Sequence, residues 1–190
     1  MSIDEVRAST LAVASSTPVM PRYIAFLRGV SPMNAKMPEL KACFEAAGFT
    51  DVRTLLSSGN VAFSSRALTE ATLARRAELA MQDGLGKAFG TFIRSKAQLH
   101  ALLAADPYAA FDIDPGAKRV VTFLREAVPP GILLPPARDG ARVLKAVGRE
   151  VYSVYVPGPK DPVFMSLLER QFGPDITTRT QETVRKCAGA

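Results

Sequence analysis

One histidine and two cysteines are all that 190 residues offer of the side chains that most often hold metals or shuttle protons. His100, the sole histidine, falls on the polar side of an expected helix, so a His-based triad or metal cluster has almost nothing to use. Cys43 and Cys187 each sit inside an apolar helical pattern. Two thiols in a chain this long make no disulfide framework, and they read as small buried hydrophobes in a reducing, cytoplasmic compartment. No apolar run reaches the roughly 18 to 20 residues that cross a bilayer, so no membrane span is expected.

Phosphate-gripping loops are missing too. Gly84-Leu85-Gly86-Lys87-Ala88-Phe89-Gly90 has the glycines of a dinucleotide loop but lies between a helix and a strand, the reverse of the order such a loop needs. No cofactor is expected. Asp112 and Asp114, in a Pro-Gly turn, read as turn formers rather than as a metal site, and Ser57, Ser58 and Ser95 have no identifiable base.

What is present is an ordinary globular composition, 47% hydrophobic and 22% charged, enough for a packed core. The net charge of +6 is uneven. Between Gly116 and Arg149 seven basic residues (Lys118, Arg119, Arg125, Arg138, Arg142, Lys145, Arg149) face only Glu126 and Asp139.

Along the chain, residues 1–19 read as a mobile tail. RYIAFLR (22–28) is an apolar run bounded by Pro21 and Gly29, hence a buried strand. Leu40, Cys43, Phe44 and Ala47 then recur at helical spacing after Pro38, with Gly48 as the stop. VRTLL and VAFS flank Ser57-Ser58-Gly59-Asn60, a hairpin with a polar tip. A helix over 69–85 and a strand over 88–94 complete a βαββαβ order, the ferredoxin-like plan: one antiparallel sheet with both helices on one face. Ser95-Lys96-Ala97-Gln98 is a capping box opening a linking helix. The turn-rich stretch 105–117 closes the linker.

The second half, 118–190, repeats the plan with divergence. KRVVTFLR is a strand, and Pro129, Pro130, Pro135 and Pro136 leave room for at most a short helix. Strands over 141–147 and 151–156 follow, with both faces of the latter apolar, as if the other half's sheet or a partner covered one. Asp161 and Pro162 start a helix, ITT is a short strand, and Thr178 to Gln181 is the expected cap of a final helix. The reading is thus α+β: tandem ferredoxin-like (βαββαβ) halves with antiparallel sheets, 20–94 and 118–190, joined by 95–117.

YIAFLRGV, MPELKACFEAAGFTDVRTLLSSGNVAFSS, GREVYSVYVPG, LLERQFG and TTRTQETVRK, in that order over residues 21–188, resemble the domain-of-unknown-function 1697 family. The resemblance implies two related α+β halves and no particular activity. The chain departs from the family at Val30-Ser31-Pro32-Met33-Asn34, where Ile-Asn-Val-Gly-Gly is usual. It departs again at Thr180-Gln181-Glu182-Thr183, where Asn-Trp-Asn-Thr is usual.

Topology then suggests a site. In a βαββαβ sheet the end of the first strand (Arg28, Gly29), the start of the first helix (Lys36), the hairpin tip (Ser57, Ser58, Asn60) and Lys87 share one rim, and Arg179 is a further candidate for it. Cations, hydroxyls and a helix N-terminus favour an anion, so a small anionic ligand (phosphate, carboxylate or nucleotide) is the first expectation. The alternatives are non-specific nucleic-acid binding through Lys118, Arg119, Arg142 and Lys145, or a protein-interaction module without chemistry. RNA recognition by stacking is disfavoured, because Gly59-Asn60-Val61-Ala62-Phe63 lacks the aromatic pair. The chain is expected as a monomer or homodimer.

Overall fold

Alternation along the first strand sets the layers. In β1 (Arg22–Leu27), Tyr23, Ala25 and Leu27 enter one core cluster while Ile24 and Phe26 enter a second, and all five are buried. A strand without a solvent face must be covered on both sides. The computed structural model describes residues 20–158 and 162–190. The expected tail 1–19 and the helix-starting Asp161 lie outside the described residues.

After β1 come α1 (Met37–Ala46), β2 (Thr50–Leu55), β3 (Asn60–Ser64), α2 (Glu70–Leu85) and β4 (Thr91–Ser95). The strands pair in the order β2-β3-β1-β4, all antiparallel, which is the ferredoxin-like arrangement. α1 buries Leu40, Cys43 and Phe44, and α2 buries Leu73, Ala74, Ala77 and Met81, in the cluster lined by Tyr23, Ala25 and Leu27. Thr69 caps α2 by accepting from the Thr72 amide, and Gly86 ends it at φ +71°, where a Cβ would be strained.

α3 (Lys96–Ala104) opens on the expected capping box of Ser95 and Gln98. Then follow β5 (Lys118–Leu124), β6 (Ala141–Val147), β7 (Glu150–Tyr155), α4 (Pro162–Phe172), β8 (Ile176–Thr180) and α5 (Gln181–Ala188). The second sheet has the order β6-β7-β5-β8, the same as the first. Its first helix is absent, since the proline-rich segment between β5 and β6 forms turns only. α4 covers the outer face, placing Phe164 and Leu168 over Val120, Val143 and Val151, with Val128 and Leu134 of the proline-rich segment packed beside it. Beneath it Thr122 and Ser153 are fully buried hydroxyls without a hydrogen-bond partner among the described residues.

The two sheets meet face to face. Ile24, Phe26, Ala62 and Phe92 of the first pack on Val121, Phe123, Tyr152 and Val154 of the second. Phe26 and Phe123 stack at 4.3 Å with their planes 9° apart. α3 and α5 border this layer through Leu99, Val184 and Cys187, and Tyr108 reaches in from the linker to donate to the Val120 carbonyl at 2.7 Å. The doubly apolar β7 is thus explained by the other half's sheet.

Two boundaries differ from expectation. The last helix is capped by Thr180, which accepts from the Thr183 amide, and not from Thr178, because Ile176–Thr180 stays paired with β5. The fourth strand begins at Thr91, where pairing with Leu27 begins.

Candidate ligand site

The first-half rim assembles as topology requires. The Leu27 amide donates to Gly59 O and the Arg28 amide to Gly90 O, both at 2.8 Å, tying the end of β1 to the hairpin tip and to the approach to β4. Gly59 has φ +71° and packs so closely on Val30 that a Cβ would lie 2.7 Å from the valine's own. Gly29 (φ +75°) accepts from Asn34 Nδ2 at 2.7 Å. Lys36, Ser57, Ser58 and Lys87 are exposed, Lys36 standing at the start of α1 without a side-chain cap. Arg28 pairs with Glu169 of α4 at 3.4 Å.

Arg179 joins this rim from β8, yet its donors are spent on the protein. Nε donates to Asn60 Oδ1 at 2.6 Å, Nη1 to Thr177 Oγ1 and Thr178 O, and Nη2 to Leu27 O and Ser58 O. Its guanidinium lies 5.6 Å from the Phe26 ring centroid. Burial holds its pKa down at about 10, which leaves it a cation at neutral pH. Every N–H being engaged, Arg179 has no donor left for a ligand.

Arg94 of β4 makes the matching set of contacts in the opposite direction. Its Nε donates to Glu150 Oε1 at 2.6 Å, its Nη2 to Leu124 O and Arg149 O, and it lies 5.4 Å from the Phe123 ring. The strand register makes the two equivalent: Arg94 stands opposite Ile24 of β1, and Arg179 opposite Val121 of β5. Arg125 and Arg28 form a second such pair, Arg125 reaching Glu78 of α2 at 3.1 Å and Arg28 reaching Glu169 of α4. The halves therefore meet with the reciprocity of an isologous dimer interface. One difference stands out: Arg94 faces the carboxylates of Glu150 and Glu70, whereas Arg179 faces the neutral Asn60.

The basic segment does not form one stripe. Arg28 and Arg125 both flank Gly90, so β1 and β5 end at the same pole, where Arg125 pairs with Glu78 and Asp175 and Arg149 with Glu70. Lys118 and Arg119 stand at the other end of β5, on the order of 20 Å away at strand rise. Arg142 donates to the Asp112 carbonyl, and Lys145 lies exposed on edge strand β6. Asp114 Oδ1 accepts from the Gly116 amide, as a turn former does, and no group of three metal-ligating side chains occurs among the described residues.

At that far pole a cavity of about 610 Å³ opens between the 113–117 turn, the first residues of β5 and the start of α5. Lys118, Arg119 and Arg185 line it, none with an ion-pair partner among the described residues, along with Asp114, Gln181 and Glu182. Glu182 is held by Lys186 at 2.7 Å, which keeps its carboxyl below the usual range. Thr180 caps the Thr183 amide, leaving the amides of Gln181 and Glu182 without intrahelical partners. Gln181 is only 8% exposed, yet its side-chain amide makes no hydrogen bond among the described residues. Sequence reasoning had Lys118 and Arg119 but missed Gln181 and Arg185. Their i, i+4 spacing after a capping threonine was the available signal, obscured by placing the cap two residues early.

The family described as a protein of unknown function (DUF1697) matches residues 20–152. A solved structure of a conserved bacterial protein from Streptococcus pneumoniae is similar at a TM-score of 0.65 and 19% identity, over 90% of this chain and 97% of that one, a likeness of fold. No curated protein matches. No helix among the described residues is long and apolar enough to cross a membrane. With the doubled four-stranded sheet and the matched segment in agreement, the chain belongs to the DUF1697 family.

Proposed function

We propose that the protein binds a small anionic ligand, and that it does so in the cleft at the start of α5. One observation carries this reading: Lys118, Arg119 and Arg185 line a cavity of about 610 Å³ and none of them forms a salt bridge among the described residues, the Glu182 carboxylate that Arg185 also attracts being held by Lys186. Cations kept unpaired around a concave site attract anions, and the open first-turn amides of α5 add donors of the same sense. The arginines of the opposite pole contrast with these, since Arg28, Arg125 and Arg149 each have a carboxylate.

A second reading keeps the anion at the first-half rim, beside Arg28, Gly29, Lys36, Ser57, Ser58 and Lys87. It is favoured by the absence of a side-chain cap on α1. An amide-resolved phosphate titration by NMR separates the two. Shifts at Lys118, Gln181 and Arg185 are expected; shifts confined to Lys36, Ser57 and Lys87 would move the site to the rim. Saturating phosphate with no shift at either place would refute anion binding.

A further inference from the structure

Resting on the anion-binding reading of the α5 cleft, the geometry points to a nucleoside monophosphate as the class of ligand taken there. An inorganic anion would fill a small part of 610 Å³, a volume in the range of sites for whole organic molecules. The walls are also divided by chemistry. Lys118, Arg119 and Arg185 form a cationic side, while Ile113, Pro115 and Ala117 of the turn form an apolar one. A phosphate suits the first wall. A flat, weakly polar body suits the second.

Gln181 supplies the discriminating group. A carboxamide carries a donor and an acceptor side by side. That of Gln181, on an otherwise buried residue, makes no hydrogen bond among the described residues and stays accessible at the cavity wall, where a ligand can use both. A phosphate oxygen can use only its donor. The edge of a base such as adenine offers an acceptor beside a donor and matches both, the pairing by which glutamine reads adenine elsewhere. Asp114 and Glu182 in the same wall set a limit on charge: carboxylates tolerate sugar hydroxyls but repel a run of phosphates. That favours a monophosphate over a polyphosphate or a nucleic-acid strand.

The test is calorimetric titration of the full chain with inorganic phosphate, ribose 5-phosphate, adenosine 5′-monophosphate and an oligoadenylate. Adenosine 5′-monophosphate is expected to bind at least about tenfold more tightly than the two compounds lacking a base, a margin of about 1.4 kcal/mol. Gln181→Leu should remove that margin, read as the ratio of the two affinities measured in the same variant, while Lys118→Ala should weaken every ligand and keep the ratio. If Gln181→Leu fails to fold, Gln181→Glu replaces the donor with a charge in the same shape and should also lose the margin. Equal affinity for phosphate and adenosine 5′-monophosphate, or an unchanged margin in a folded Gln181 variant, overturns the inference while the anion-binding function stands. Tighter, salt-sensitive binding of the oligoadenylate overturns it in favour of a strand. No binding of any of the four overturns both.

Discussion

Arg179 shows what a guanidinium does when no acid is near it. Its donors hold Asn60, Leu27 O and Ser58 O, groups of the other half and up to 152 residues away in the chain. Arg179→Lys keeps the charge but not the planar fork, and strands several buried acceptors at once. Urea unfolding should show a loss of about 2 to 4 kcal/mol, against well under 1 for Arg185→Lys at the exposed cleft wall. The sequence made Asn60 and Ser58 legible as a hairpin tip, and Arg28 as the end of a strand. It could not reveal that Arg179 would be consumed, because its partners are set by the packing of one sheet on the other.

Acidity at single residues gives a second expectation. Burial pushes the Cys187 thiol up to about 11 and raises Tyr108 and Tyr152 as well. The folded state therefore holds protons that the unfolded chain would release sooner, so stability is intact below about pH 9 and declines as pH climbs through the folded values. Arg179 works the other way, because its folded pKa of about 10 lies below its unfolded value, but it contributes only above that pH. Thermal melts should be level from pH 7 to 8.5 and fall beyond about pH 9. At pH 8 both buried thiols should resist a chromogenic disulfide reagent until denaturant is added. A native thiol that reacts at once would contradict the burial of Cys43 and Cys187.

At the scale of the element, the helices were the most legible part. Leu40, Cys43 and Phe44, or Leu73, Ala77 and Met81, recur at the helical period and all are buried as that period requires. The clustered prolines marked the missing helix of the second half equally well. What misled was the end of β8, where Thr178 and Thr180 are both competent caps. The ladder to β5 claims Thr178 through its pairing with Thr122, so the helix starts after Thr180. Thr180→Ala should cost about 1 kcal/mol, while Thr178→Ala, removing no cap, should cost less. Equal losses in chemical denaturation would mean the cap contributes nothing.

For the whole molecule, the sequence made a βαββαβ unit and its diverged repeat readable but not their arrangement. Ile24 and Phe26, or Tyr152 and Val154, announce a buried face; nothing in their spacing names the surface that buries it. The answer is the other half, with Phe26 against Phe123. Since that layer belongs to both halves, they should unfold together. Phe26→Ala is expected to lower stability by about 3 to 5 kcal/mol, and amide exchange should quicken in β5 and β7 as much as in β3. Protection lost only from the first sheet would show the halves to be energetically separate.

The mirrored arginines carry a consequence for how such a chain can change over generations. Because the grip exists in duplicate, one copy can drift while its twin keeps the sandwich shut. The contrast of Glu150 on one side with Asn60 on the other is the kind of divergence that such redundancy tolerates. A single-copy latch would have no comparable freedom, and the pole it guarded would be frozen with it.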